Sequence, residues 1–265
     1  MMGTLLGGRY RLAEEISRGE LGAVWRCVDQ DLGRTVAAKV FWPGVVSDSV
    51  VAQRILLGWE RPITKIDHPG VVRVYEAAAD PEADTYVIME YVEGESLRHI
   101  LAREVRLAPD RAMDVVARIA DGFEALHGWG VVHRDVGPRK VLVRPDASIA
   151  LTPFGLAYML GQPQLYVALS RARYLSPEQL MGASVTRQSD IFSLGVLAYQ
   201  CLSGQVPFDG ENPLEAAMHV VRSEPAPLPS DVPAAVRSIV ERALAKDPNA
   251  RWPTAAELAA AARQA

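Results

Sequence analysis

Several short stretches of this 265-residue chain carry residue types able to handle protons or phosphate. Ser17-Arg18-Gly19-Glu20-Leu21-Gly22-Ala23-Val24 lies between two segments that read as strands. It looks like a glycine-rich, phosphate-covering loop with Ser17 where a first glycine would stand. Taken alone, Gly19 and Gly22 are ordinary hairpin chemistry. Val36-Ala37-Ala38-Lys39 follows. A lysine on such a strand can reach nucleotide phosphates, although by itself it reads as a solvated strand lysine. Further on come His133-Arg134-Asp135, Pro153-Phe154-Gly155, Ser176-Pro177-Glu178, Asp190-Ile191-Phe192-Ser193-Leu194-Gly195 and Arg251.

These groups need elements to hold them. Short runs rich in Val, Ala and aromatic residues, separated by turns, predict strands over 10–16, 22–29, 35–41, 71–76 and 86–89. A helix is expected near 47–65, with Pro62 kinking or shortening it. Apolar residues at helical spacing (Val115, Val116, Ile119, Phe123, Leu126) predict a helix over 112–127. Further helices are expected over 190–202, 213–222, 232–245 and 254–263, with Ser96, Asp190, Asp231 and Thr254 as caps. The layout is α+β in two lobes: a β-rich N-lobe over 9–89, a connector over 90–94 and a mostly helical C-lobe over 95–265, all in one domain spanning 1–265. A cleft between such lobes is the default ligand site.

Composition narrows the class. Apolar residues make up 49% and charged residues 23%, with a net charge of −4, so no basic field recruits nucleic acid or an anionic membrane. Two cysteines, Cys27 and Cys201, are too few for a disulfide framework or a zinc site. The longest apolar run, around 191–202, is too short and interrupted to span a bilayer, and the N-terminus lacks a signal-peptide core. A cytoplasmic protein, or the cytoplasmic domain of a longer one, is expected.

The order and spacing of the motifs across residues 9–262 is no coincidence. The chain resembles the eukaryotic-like (Hanks-type) serine/threonine protein kinases of bacteria. Gly8-Arg9-Tyr10-Arg11-Leu12, Met89-Glu90-Tyr91-Val92 and Tyr174-Leu175-Ser176-Pro177-Glu178 add to the likeness. The resemblance implies a two-lobe kinase fold. It puts Val24, Ala37 and Leu142 around an adenine ring, Met89 behind it, and the backbone of Glu90 and Val92 along its edge. Ile63, Val74, His133 and Phe154 would form an apolar column, with Asp190 anchoring its base. Glu178 and Arg251 would form a buried ion pair.

The same resemblance tests the chemistry. Phosphoryl transfer needs a strand lysine paired with a helix glutamate, a base aspartate and two metal ligands. Lys39 and Asp135 are retained, as is Arg134. The helix-glutamate position holds Trp59, and Glu60 is one residue, or about 100° of helix, away. The phosphate-contacting lysine position holds Gly137, and the metal-binding asparagine position holds Lys140. Magnesium takes oxygen ligands, which an ammonium does not offer. The metal-binding aspartate is replaced by Pro153. The segment 153–178 has no threonine, and Arg171 stands where the family has one; Ser170, Tyr158 and Tyr166 read as ordinary loop residues.

Loss of these groups implies a pseudokinase acting as a regulatory or scaffolding module. Its expected partner is a protein: an active kinase, a phosphopeptide-reading domain or a biosynthetic enzyme. The alternative is an atypical, low-activity serine/threonine kinase that keeps Lys39 and Asp135. The local charge has moved toward positive, with Arg139 and Arg171 near Lys140. Lys140 is therefore expected either to pair with Asp135 or, with Lys39, to neutralise phosphates directly. ATP bound without Mg²⁺ is the one cofactor considered, and no metal is assigned.

Overall fold

The computed structural model describes residues 2–43, 63–78, 85–152 and 172–265. Most of the helix expected near 47–65 lies outside them. So do Trp59, Glu60, Pro62, Pro153, Phe154, Tyr158, Tyr166, Ser170 and Arg171. The described residues divide into two compact units. One comprises 2–43, 63–68, 72–78 and 85–93; the other comprises 69–71, 94–152 and 172–265.

The first unit is an antiparallel sheet of six strands: β1 (Leu5–Leu6), β2 (Tyr10–Gly19), β3 (Gly22–Asp29), β4 (Arg34–Phe41), β5 (Val74–Ala78) and β6 (Tyr86–Glu90), in the order β1-β2-β3-β4-β6-β5. Alternate residues of the strands point to one buried face, and the middle of β4 and most of β6 are buried on the other face as well. Tyr10, Leu12, Trp25, Cys27, Val36, Ala38, Val40, Tyr86 and Ile88 form its core. One end is tied by a buried carboxylate. Arg9 donates Nε to Asp29 Oδ1 at 2.7 Å and Nη2 to Oδ2 at 2.8 Å, and Arg34 Nε lies 3.3 Å from Oδ2. The strand expected from Val71 begins only at Val74. Val71 instead bridges Leu151 in parallel, within the second unit, where the Leu151 N–H also donates to the Gly70 carbonyl.

The second unit contains helices α1 (Leu97–Glu104), α2 (Pro109–Gly128), α3 (Pro177–Leu180), α4 (Arg187–Ser203), α5 (Pro213–Arg222), α6 (Ala234–Ala243) and α7 (Ala255–Gln264). It also has a small antiparallel sheet, β7 (Glu95–Ser96), β8 (Val141–Val143) and β9 (Ile149–Leu151), which the sequence pattern did not predict. Helix α4 is buried on nearly every face, as suits a central helix. It packs against α2 and α6, while α7 lies on α2. Gly195 allows the α4–α6 approach: a Cβ there would stand 2.8 Å from the Cβ of Ala243.

Two expected caps are corrected. Helix α4 starts after Thr186, whose N–H donates to Ser189 Oγ, so Asp190 lies inside the first turn with its carboxylate committed elsewhere. Helix α6 starts after Pro233, whose fixed φ suits a helix start, and Asp231 pairs with Arg106 instead. Ser96 and Thr254 do cap α1 and α7, accepting from the N–H groups of His99 and Glu257.

Candidate functional site

In the first unit, β3 and β4 pair so that Val24 faces Lys39, and β4 and β6 pair so that Ala37 faces Met89 and Val36 faces Glu90. The sheet thus gathers Gly22, Val24, Ala37, Lys39, Met89 and Glu90 on adjacent strands. Ala37 and Met89 are buried, while Val24, Lys39, Glu90 and Val92 are half-buried. The Glu90 N–H donates to the Arg73 carbonyl at 2.8 Å. Gly19 and Gly22 pair across a two-residue turn formed by Glu20 and Leu21; Ser17 sits lower on β2, opposite Val24. Lys39 Nζ donates to the Gly22 carbonyl at 2.7 Å. Gly22 itself has φ +149°, and a Cβ there would lie 2.0 Å from the Val40 carbonyl oxygen. Only glycine fits that approach.

The second unit holds the loop from Val131 to Lys140. Its fixed point is the buried Asp190 carboxylate. Oδ2 accepts the His133 N–H and Oδ1 the Arg134 N–H, each at 2.8 Å. Oδ2 also lies 2.8 Å from His127 Nε2. Arg134 has φ +66°, a left-handed conformation costly for a residue with a Cβ, and the Asp190 bond helps hold it there. From the other side, Gln179 Nε2 donates to the Arg134 carbonyl at 2.9 Å, while its Oε1 accepts from the N–H and Oγ of Ser176. Burial pushes the His133 imidazole down to about 4, so it is neutral at ordinary pH.

Within that loop, Lys140 Nζ stands 3.7 Å from Asp135 Oδ2. Both side chains are partly exposed, at 31% and 19%. The Lys140 N–H donates to the Gly137 carbonyl, and its own carbonyl accepts from Thr152. Gly137 lies under the Tyr174 ring, with a Cβ position 3.7 Å from Cγ. Leu142 sits on β8, paired with Ser96 and Ala150.

Glu178 and Arg251 meet in the interior, with Arg251 Nη1 donating to Oε1 at 2.8 Å and Nη2 to Oε2 at 3.0 Å. Ile63 and Val74 are buried in the first unit, and His133 is buried in the second. Sequence reasoning missed Trp42, His127 and Gln179. The spacing Ser176-x-x-Gln179 is a helix-start signature that would have found the last. Trp42 and His127 carry no such mark.

Among the described residues, no group of three or more His, Cys, Asp or Glu is placed to hold a metal, and no helix is long and apolar enough to cross a membrane.

The protein kinase domain family matches residues 10–262. The chain is 36% identical over 258 residues to the serine/threonine-protein kinase PknA of Mycobacterium tuberculosis, covering 95% of this chain and 60% of that protein. It is 34% identical over 264 residues to a probable serine/threonine-protein kinase of Streptomyces coelicolor, covering 96% of this chain and 39% of that one. The match therefore spans only part of these longer relatives. The solved kinase domain of Mycobacterium tuberculosis PknI has a TM-score of 0.79 at 23% identity, covering 100% of this chain and 98% of that one, and shares its fold.

Proposed function

This chain belongs to the protein kinase domain family, and we propose that it acts there as a pseudokinase, a regulatory module that presents a kinase surface to a protein partner. The supporting observation is the Lys140–Asp135 contact. Asp135 is the carboxylate at the base position. The Lys140 ammonium stands 3.7 Å from it, a charged partner that an asparagine at the same position would not provide. That ammonium also stands where the family has an oxygen ligand for metal, and Pro153 supplies no carboxylate at the other metal position. The donor set does not fit Mg²⁺. A metal clamp contributes several kcal/mol to phosphoryl transfer, and each 1.36 kcal/mol is about tenfold in rate.

The partner is a protein: an active kinase, a phosphopeptide-reading domain or a biosynthetic enzyme. Such a module would work in the cytoplasm, where Cys27 and Cys201 stay reduced. Nucleotide is taken without Mg²⁺, its phosphates met by Lys39. The second reading, a low-activity kinase, draws on the retention of Lys39 and Asp135. Radiolabelled phosphate transfer from ATP to itself and to a generic protein substrate, in Mg²⁺ and in Mn²⁺, decides between them. No transfer in either metal is the expected result. Transfer that Asp135→Asn abolishes would establish the enzyme instead.

A further inference from the structure

The glycine-rich turn of the first unit is fastened to the end of the strand that carries Lys39. Trp42 follows β4 directly and bonds the turn twice. Its backbone N–H donates to the Leu21 carbonyl at 3.1 Å, and its indole Nε1–H donates to the Gly19 carbonyl at 3.0 Å. The Arg18 guanidinium lies over the same indole, 4.8 Å from the ring centroid. Glu15 holds that guanidinium in a fork, at 2.8 and 2.6 Å. Lys39 Nζ takes a third carbonyl of the turn, that of Gly22, at 2.7 Å. The β3–β4 register runs to the last possible pair, Gly22 with Phe41, so the turn lies flat along β4.

These contacts all bear on one group. Lys39 is the cation to which the kinase resemblance assigns a polyphosphate, and its bond to the Gly22 carbonyl competes with any phosphate oxygen. Lifting the turn would release that bond. Trp42, with Arg18 stacked on it, opposes the lifting.

We propose that Trp42 and Arg18 form a latch that holds the glycine-rich turn down on Lys39, and that a metal-free nucleoside triphosphate binds only when the latch opens. The inference rests on the reading of the site as one that takes nucleotide without Mg²⁺. It adds the device that controls entry. Affinity for the ligand then scales with the fraction of molecules whose latch is open.

The experiment combines hydrogen exchange over residues 17–24 with calorimetric titration of ATP in EDTA, on the wild-type chain, Trp42→Ala, Trp42→Phe and Lys39→Met. Trp42→Ala should lose amide protection in the turn and bind ATP at least fivefold more tightly. Trp42→Phe keeps an aromatic ring and loses the indole N–H, so it should change both readouts in the same direction by less; it also serves if the alanine variant fails to fold. Lys39→Met should abolish ATP binding. Unchanged protection and unchanged affinity in both Trp42 variants would overturn the latch, as would the absence of ATP binding in every variant. Phosphate transfer by the wild-type chain would overturn the pseudokinase reading while leaving the exchange result to judge the latch.

Discussion

Arg251 and Glu178 form a two-pronged ion pair sealed from solvent, with the Arg251 side chain 0% and the Glu178 side chain 7% exposed. The remaining polar atoms are also satisfied. Arg251 donates to the carbonyls of Ala245, Gln188 and Lys246, and Glu178 accepts from Ser189 Oγ. The pair joins the start of α3 to the segment before α7 and to the first turn of α4. Removing one partner leaves a buried charge alone. Glu178→Ala should therefore cost about 3–5 kcal/mol in urea denaturation. Glu178→Gln, which leaves a hydrogen-bonding side chain in place, should cost less.

Acid should act first at buried carboxylates. Arg9 and Arg34 hold the Asp29 carboxyl down at about 2, against burial that pushes it up. Glu178 is also depressed: burial raises it, and the bonds from Arg251 and Ser189 outweigh that. A carboxyl with a lowered folded-state pKa contributes stability that is complete above its unfolded value and is lost as pH falls toward the folded one. Stability should hold down to about pH 5 and fall from about pH 4 to pH 2. Asp29→Asn should make that acid limb shallower in a thermal melt series.

Lys140 and Pro153 set the metal response. A double change, Lys140→Asn with Pro153→Asp, supplies two oxygen donors at the family's ligand positions. In a thermal-shift titration it should show an ATP response that requires Mg²⁺, whereas the wild-type chain should show none that does. An identical response in both chains would mean that these two positions do not form a metal site.

Val105 occupies a strained turn. It has φ +65° and ψ −55°, with the Arg106 N–H bonded to the Glu104 carbonyl at 2.7 Å. This γ-turn conformation is uncommon, and a β-branched residue tolerates it poorly. The side chain is 66% exposed, so little packing is lost on its removal. Val105→Gly should stabilise the fold by about 1 kcal/mol, read from the urea midpoint.

Both thiols are sealed. Burial pushes Cys27 and Cys201 up to about 12, so almost no thiolate exists at neutral pH. A thiol reagent such as DTNB should leave the native protein unlabelled and should modify two groups per chain in denaturant. Fast labelling of the native state would show that one of these strands or helices opens readily.

Four strands of the first unit were legible because they are short runs rich in Val, Ala and aromatic residues with marked turns: β3 matches the expected span, and β2, β4 and β6 differ by a few residues, whereas the two-residue β1 was not foreseen. The long helices were legible for the same reason, their apolar spacing. Strands β8 and β9 were not, because three residues carry no period. The cap errors share a cause. Asp190 and Asp231 are residue types that favour helix starts, but each has a stronger electrostatic partner, the loop N–H groups for Asp190 and Arg106 for Asp231. Of the candidate site, the resemblance named Lys39, Asp135 and Lys140, and left open whether Lys140 turns toward Asp135. No pattern in the sequence pointed to Trp42, because its effect comes from a chain reversal that brings Gly19 and Leu21 back to it.

The loop around Arg134 is braced on both sides, its N–H groups taken by Asp190 and its carbonyl by Gln179. A loop held by bonds on both its N–H and its C=O side has little conformational freedom left to lose, so whatever touches it meets a shape already set.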